Sequence, residues 1–442
     1  MPSKVLIVGV LAALIGLSLA TGANVQSEEA FSVSLRLAGS TVPSMLLAKW
    51  NTDFGVATGG VVNAYYGVQQ TGVAKALFIS NAVDFVLVDV PLTGDEKGEV
   101  EVARGSSIAH APVAATGIAI TYHAASLGLT AATPLKLNST ILAAIYSGHI
   151  TRWNDAAIVA LNPTLHSAAL NIKPIVFDGQ AGTTYILTRY LVKESVWAGS
   201  PSFSIDGGAN SIHVTSPSSI VQTVIGTPGA IAYVAYGDAL TYSLPSAALD
   251  NEDLVFVQPS LASFAAAATS FETSGNLPGG TDVWGDDLLL DVRSSSGNAY
   301  PISFYVYAIF NIDQAPAGTS GAAIGAWAQW VQLSGAQSKA ADYGFSSLSN
   351  TMVTVNNNTL ATMTYATGTS PTDYWPYIAP STVMPTTPPP VTPPTSTNIK
   401  SNALQVIIIL VLVALIILVV GIDQWRGGCI IKCHSTGRGI WA

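Results

Sequence analysis

Short β-rich runs and helical stretches follow one another between about residues 31 and 366 of this 442-residue chain. In three places a run of β-forming residues leads into a polar loop, and apolar residues then recur at helical spacing. These units cover residues 34–54, 61–79 and 172–192. Strand, loop and helix in repeated order predict an α/β architecture with mostly parallel sheets.

The polar loops of these units come directly before the predicted helices. They read GSTVP at 39–43, GVQQTG at 67–72 and DGQAGTT at 178–184. Free N–H groups and the helix dipole attract anions at a helix N-terminus, so several such loops predict a converging oxyanion site. For any one loop taken alone, Gly, Ser and Thr acting as ordinary helix caps is the simpler interpretation.

Two long apolar runs lie near the ends of the chain. Residues 1–23 have the polar start, apolar stretch and small residues that are typical of a secretory signal. Residues 403–422 carry no charge and are long enough to cross a bilayer core of roughly 30 Å. Because basic residues outnumber acidic ones after this run, residues 423–442 are predicted to be cytosolic, which makes the protein a single-pass type I membrane protein.

The part of the chain between these runs is then an ectodomain, residues 24–379, outside the cell or in a secretory lumen. Residues 380–402 are rich in Pro and Thr and predict an extended stalk, a composition that often carries O-glycans. Asn138 and Asn357 begin N-glycosylation sequons, which are used only in a eukaryotic host. Both cysteines, Cys429 and Cys433, follow the predicted span, where S-acylation and unmodified reduced thiols are equally open.

Composition narrows the functional classes. Charged residues make up 10% of the chain and the net charge is −9, so the acidic balance excludes nucleic acid as a partner. The sequence contains no Gly-x-Ser-x-Gly elbow, His-Glu-x-x-His pair or Walker loop, and its six histidines are scattered. We therefore predict a protein that is not an enzyme and that holds no cofactor or metal.

Seven stretches together resemble one known family in order and approximate spacing. They are AGSTVPSMLLAKW (38–50), AVDFVLVDVPLT (82–93), TILAAIYSGHITRWNDAAIVALNP (140–163), FDGQAGTTYILTRYL (177–191), TPGAIAYVAY (227–236), AYPISFYVYAIF (299–310) and AAIGAWAQWVQLSGAQSKAADYGFSSL (322–348). The chain resembles the periplasmic phosphate-binding proteins of bacterial ABC transporters, across nearly all of the ectodomain. That resemblance implies a type 2 solute-binding fold with two α/β lobes and a central cleft. One lobe would comprise about 31–114 and 302–366, and the other about 115–301.

The resemblance also implies a ligand site. Members of that family hold phosphate with backbone N–H groups, hydroxyl groups, one arginine, and one aspartate that accepts the ligand's proton. On that basis Thr41, the Val42 backbone, Asp89, Gly182 and Thr183 match the family's ligand positions.

Three positions depart from the family pattern. Gln69 stands where the family has a serine and is kept as a candidate ligand residue, Phe177 stands in place of the arginine, and Ala181 in place of another serine. Arg36, Lys173 and Arg189 are candidates to replace the missing charge, although each is also a normal surface residue.

The resulting prediction is a membrane-anchored cell-surface protein that captures phosphate or a related small oxyanion. A single apolar span offers no polar path through a bilayer, so uptake would require a permease and signalling would require another chain. Two alternatives stay open because fold alone does not decide function. One is the same fold with a different ligand, such as a neutral polyol, a sugar or an amine, and the other is a non-binding surface or adhesion protein.

Overall fold

The computed structural model describes residues 32–130, 132–275, 277–285, 290 and 297–374. Within these ranges no helix is both long and apolar enough to be a membrane span. The predicted signal at 1–23, the stalk at 380–402, the span at 403–422 and the tail at 423–442 lie outside the described residues, as do Cys429 and Cys433.

The described part is a mixed α/β fold. Its strands are β1 (Val33–Gly39), β2 (Val62–Val68), β3 (Phe85–Val88), β4 (Ile108–Tyr122), β5 (Lys136–Leu137), β6 (Lys173–Phe177), β7 (Ile212–Val214), β8 (Ala230–Ala235), β9 (Ala248–Asp250), β10 (Phe256–Val257) and β11 (Ser303–Asn311). Its α-helices are α1 (Ser44–Ala57), α2 (Thr71–Ile79), α3 (Gly94–Arg104), α4 (Ala124–Leu127), α5 (Ser139–Tyr146), α6 (Ala156–Leu161), α7 (Gly182–Lys193), α8 (Pro217–Gly226), α9 (Tyr236–Thr241), α10 (Leu261–Thr273), α11 (Thr319–Trp330), α12 (Ser334–Gln337) and α13 (Asn350–Leu360).

Eight of these strands form one continuous sheet in the order β2-β1-β3-β11-β4-β8-β6-β7. β1 pairs in parallel with both β2 and β3, and β6 pairs in parallel with both β7 and β8. A second sheet has the order β10-β9-β5. The prediction of mostly parallel pairing therefore holds within each half of the large sheet, while β4 and β11 add antiparallel pairs at its centre.

Strand β4 connects two lobes. All of its 15 residues are buried, and it pairs with β11 from Ile108 to Gly117 and then with β8 from Ile118 to Tyr122. Because one strand changes partner along its length, the chain passes from one half of the sheet to the other without a flexible loop. The predicted two-lobed α/β fold is thereby confirmed for the described residues.

The apolar core is divided in the same way. Trp50, Phe54 and Trp327 pack against the β1 half of the sheet, and Trp153 and Leu187 pack against the β8 half. All five side chains are fully buried, and burying an aromatic or leucine side chain contributes roughly 1.5–3 kcal/mol each. Each half thus has its own hydrophobic core, which leaves the polar loops at the strand ends free to face the space between the lobes.

The predicted helix starts differ from the structure in one place that concerns the site. The apolar pattern predicts the second helix from residue 73, whereas α2 begins at Thr71. Gln70 before it has extended backbone angles, and the Thr71 side chain is fully buried. The apolar periodicity could not predict Thr71 as a helical residue, because its hydrogen-bond partner, Asp89, lies 18 positions away in the chain.

The two sequons occupy ordinary surface structure. Asn138 precedes α5, and its Oδ1 accepts a hydrogen bond from the Ile141 N–H at 2.9 Å as a helix cap. Asn357 is exposed on α13. Whether either carries a glycan stays a prediction.

Candidate functional site

A cleft with a volume of about 530 Å³, counted with its open mouth, lies where several strands end. Five of the six residues predicted to bind ligand line it: Thr41, Gln69, Asp89, Gly182 and Thr183. Each follows the carboxyl end of a parallel strand, which is where open α/β sheets commonly bind ligands. The sixth, Val42, is not among the lining residues, and its half-buried side chain packs against both lobe cores.

Asp89 is almost completely buried in the cleft lining, with 1% of its surface exposed. It comes directly after β3, and its Oδ1 accepts a hydrogen bond from the Thr71 hydroxyl at 2.6 Å. Its Oδ2 has no hydrogen-bond partner in the described part of the chain, and neither has the buried Ser40 hydroxyl. A buried acceptor without a donor costs roughly 1–3 kcal/mol, so this oxygen is poised to accept a hydrogen bond from a ligand.

Burial raises the pKa of Asp89. The hydrogen bond from Thr71 opposes that rise, and so do the nearby Ser40 hydroxyl and the charge of Lys75. The Ser40 hydroxyl lies close to Asp89 but lacks proper hydrogen-bond geometry. Lys75 is itself buried, and its Nζ donates to the Pro91 carbonyl at 3.0 Å and to Glu96 Oε2 at 2.8 Å. The lysine therefore acts on Asp89 only through space.

The N-terminus of α7 lies directly against this carboxylate. A Cβ added to Gly182 would clash with both carboxylate oxygens of Asp89, so only glycine fits at the first residue of the helix. No side chain caps α7, and its preceding residue is Ala181. The uncapped first turn places backbone donors and the positive end of the helix dipole beside the one acidic group buried deepest in the cleft.

A hydrogen bond crosses the cleft from one lobe to the other. The Gln180 N–H, in the loop before α7, donates to Gln70 Oε1, in the loop before α2, at 2.8 Å. Gly179, directly before Gln180, has φ +151°, and an added Cβ there would lie 2.8 Å from the Gln70 amide nitrogen. The second and third polar loops thus meet, as the converging-loop hypothesis predicted.

The missing family arginine has no replacement in the lining. Phe177 packs into the core formed with Ile175 and Ile220 and keeps only 7% of its surface exposed. None of the cleft residues that the structure describes is Lys, Arg or His. Arg36, one of the candidate replacements, instead pairs with Asp84 at 2.7 Å on the surface, and neither Lys173 nor Arg189 lines the cleft.

A second acid in the cleft escaped the sequence analysis. Asp238 lies in the first turn of α9, and burial raises its pKa to about 6. Within the described residues its carboxylate makes no hydrogen bond or ion pair. Its position after the buried strand β8 was a usable signal, because acidic residues after a parallel strand face the same edge as the other loops. Thr71 was missed because a threonine in a helix turn carries no such signal.

A family model described as a PBP superfamily domain matches residues 24–334. The chain belongs to the PBP superfamily. The phosphate-binding protein PstS of Xylella fastidiosa (strain 9a5c) is 30% identical over 283 residues, which cover 63% of this chain and 71% of that protein. The phosphate-binding protein PstS of Methanocaldococcus jannaschii is 27% identical over 290 residues, covering 64% and 73%.

Solved structures agree in fold. A high affinity periplasmic phosphate-binding protein with bound phosphate matches with a TM-score of 0.56 and 18% identity, covering 77% of this chain and 98% of its own. The predicted resemblance to phosphate-binding proteins is confirmed at the level of family. Membership of a superfamily of binding proteins also supports the prediction that the chain is not an enzyme.

Proposed function

We propose that this chain is a solute-binding protein that captures phosphate or a related small oxyanion in the cleft between its lobes. The observation that carries the proposal is the unpartnered Oδ2 of buried Asp89 beside the uncapped first turn of α7. An acceptor next to backbone donors suits an oxyanion that still carries a proton, because such a ligand both donates and accepts. The names of the PstS relatives point to the same ligand class.

In this proposal each predicted residue has a defined task. The Thr41 hydroxyl and the Val42 N–H bind ligand oxygens from the first loop, and Gly182 and Thr183 bind them from the start of α7. Asp89 accepts the ligand's proton, and Gln69 adds an amide from the second loop. Sulfate has no proton to donate near neutral pH, so Asp89 would discriminate against it.

The test is isothermal titration of the full-length chain with phosphate, arsenate, sulfate and a small panel of sugars and amines, at pH 6 and pH 8. We expect saturable heat with phosphate and arsenate and none with sulfate. Thr41→Ala should weaken phosphate binding by roughly tenfold to a hundredfold, because one hydrogen bond to a charged group is worth roughly 1.5–3 kcal/mol. Thr52→Ala is the matched control, since Thr52 is an exposed residue of α1 whose hydroxyl bonds only to its own helix at Ala48.

Two results would contradict the assignment. Binding heat with a sugar or an amine, and none with any oxyanion, would favour the alternative in which the same fold binds a different ligand. No binding heat with any compound would favour a surface or adhesion role.

The proposal extends to the predicted organisation of the chain. Lobe 1 comprises about 31–114 and 302–366 and lobe 2 about 115–301, and a signal at 1–23 directs the ectodomain, 24–379, outward. The stalk at 380–402 and a single span at 403–422 then hold the cleft at a membrane surface, and the tail, 423–442, lies in the cytosol. A permease or signalling chain would take over the captured solute.

Membrane anchoring can be tested by cell fractionation. The full chain should sediment with membranes and resist carbonate extraction, whereas a chain ending at residue 379 should be released. Recovery of both in the same fraction would reject the span. Palmitate labelling that is lost when Cys429 and Cys433 are both changed to Ser would establish acylation, and a glycosidase-sensitive mass shift that Asn138→Gln or Asn357→Gln removes would establish glycosylation.

A further inference from the structure

The cleft holds two carboxylates and no compensating cation among its described lining residues. Asp89 and Asp238 both line it, while Phe177 stands where the resembling family has its arginine. The Oδ2 atom of Asp89 has no hydrogen-bond partner among the described residues, although only 1% of the residue surface is exposed. This oxygen is therefore available to bind a ligand. Asp238 lies on a different element, α9, and is likewise without a partner in the described part of the chain.

Charge decides which form of an oxyanion can enter such a site. A doubly charged anion between two carboxylates would leave like charges close together in a region of low dielectric, with only helix and backbone dipoles to offset them. Each additional proton on the anion lowers its negative charge by one and so weakens that repulsion. An ionised carboxylate also only accepts hydrogen bonds, so a ligand with two O–H groups can donate one to each of the two acids.

We infer that the cleft takes phosphate as its dihydrogen monoanion, with one proton donated to Asp89 and the second to Asp238. This inference rests on the proposed function and adds to it the protonation state of the ligand. Asp238 is then a specificity-determining residue of this chain, because it converts a site for a singly protonated oxyanion into one that requires two donors. Binding is linked to a proton that a cleft with Asp89 alone would not need.

The surroundings of Asp238 contain no group that would reverse this conclusion. Its helix packs against β4, β8 and the short 3-10 turn Ala340–Tyr343. Besides Asp238, the titratable groups on these elements are Tyr122, Tyr233, Tyr236, Asp342 and Tyr343, with His110 at the far end of β4 and exposed Lys339 just before the turn. Pro217 and Ile220 of α8, which line the same cleft, are apolar.

The surroundings of Asp89 include one cation, Lys75, which is held by Glu96. Burial raises the pKa of Tyr66, and the nearby Asp89 charge adds to that rise. Burial raises the pKa of both cleft acids, for Asp238 to about 6, so above that pH the Asp238 carboxylate is mostly ionised and can accept a proton from the ligand.

The experiment is phosphate titration of the full-length chain between pH 5.5 and 8.5, for the wild type and for Asp238→Asn. We expect the wild-type Kd to rise by up to tenfold for each pH unit above the range in which free dihydrogen phosphate loses a proton, because binding must then restore that proton. Asp238→Asn should show a flatter profile and should bind more tightly than the wild type at pH 8.5. Both proteins meet the same phosphate solution, so a difference between their pH profiles reports which protonated form of phosphate each protein binds.

Two controls protect the interpretation. Asp238→Glu keeps the charge and should retain the slope of the wild type. Titration in two buffers of different ionisation enthalpy should show greater proton uptake by the wild type than by Asp238→Asn, and the difference approaches one proton at high pH. Asp238→Asn should be at least as resistant to heat as the wild type at pH 8, since it removes a buried charge.

The outcomes separate the inference from the proposed function. Phosphate binding with parallel pH profiles for the wild type and Asp238→Asn would overturn the inference and leave the function standing. Tighter binding of the wild type at pH 8.5 than at pH 6 would also overturn it. Absence of phosphate binding by both proteins at every pH would remove the function and the inference together.

Discussion

At position 177 a phenylalanine fills the hydrophobic core between β6 and α8, where it contacts Ile175 and Ile220. A charged side chain at the same backbone position would have to leave that core for the cleft, which Phe177 also lines. The substitution therefore changes two properties at once. It adds apolar burial to the lobe, and it leaves the acids of the cleft without a counter-charge.

Restoring the charge is a direct test at this residue. Phe177→Arg should strengthen phosphate binding at pH 8 by roughly tenfold to a hundredfold, because a charge-assisted hydrogen bond is worth roughly 1.5–3 kcal/mol. It should also lower the melting temperature, since apolar packing is lost. Titration and thermal unfolding measure the two effects.

Phe177→Met is the matched control, since it loses similar packing without gaining charge. If the arginine variant binds phosphate no better than the methionine variant, the side chain does not reach the ligand.

The start of helix α7 shows how an element is positioned by one residue. Gly182 is buried and lets the helix end approach Asp89 more closely than any residue with a Cβ would allow. The approach brings the positive end of the helix dipole to a buried carboxylate, which stabilises its charged form. The same backbone donors face the proposed ligand. The packing of α7 against Asp89 and the binding of the ligand therefore depend on the same close contact.

Gly182→Ala should therefore push α7 away from Asp89. We expect at least a tenfold loss of phosphate affinity and a destabilisation of about 1–3 kcal/mol, the usual cost of overpacking. Chemical denaturation and titration measure the two quantities.

Gly98→Ala provides the contrast, because Gly98 lies inside α3 with nothing within 4 Å of an added Cβ. That change should stabilise the protein by about 0.5–1 kcal/mol and leave binding unaltered. Unchanged phosphate binding in Gly182→Ala would show that the contact does not shape the site.

The two lobes are in contact across the cleft. The bond from Gln180 to Gln70 joins them, and the shared strand β4 connects their sheets. Closed and open arrangements of two lobes exchange by hinge motion, and a bond present only in the closed arrangement shifts that equilibrium.

Gln70→Ala should favour the open arrangement. One hydrogen bond contributes roughly 0.5–1.5 kcal/mol, so phosphate affinity should fall by about twofold to tenfold. The radius of gyration without ligand, measured by small-angle X-ray scattering, should rise and return towards the wild-type value when phosphate is added. Gln222→Ala, at an exposed position of α8, should change neither quantity. An unchanged radius in Gln70→Ala would mean that other contacts hold the lobes together.

Much of the fold was predictable because its signals are local. The strand, loop and helix order at 34–54 and 172–192 follows from residue periodicity, and the structure places β1 with α1, and β6 with α7, in those ranges. Thr41, Asp89, Gly182 and Thr183 could be selected because they follow predicted strands within a family pattern. Their role as ligands stays a prediction, although the structure brings all four to one cleft.

Other features of the site depended on residues far apart in the chain. The contact of Thr71 with Asp89 spans 18 positions, and that of Gln70 with Gln180 spans 110. Asp238 joined the site only through the packing of α9 beside the cleft, because a single acid after a strand does not reveal its depth of burial.

The sequence by itself determined the periodicity of the elements, the apolar runs at both ends and the absence of a cation at position 177. Those properties reside in residue identity and in neighbours a few positions away. Only the tertiary structure decided that Asp89 is buried with one oxygen free, that Asp238 shares its cleft, and that burial raises the pKa of both. The reason is physical: desolvation and Coulomb interactions depend on distance in space, and folding sets that distance between residues far apart along the chain.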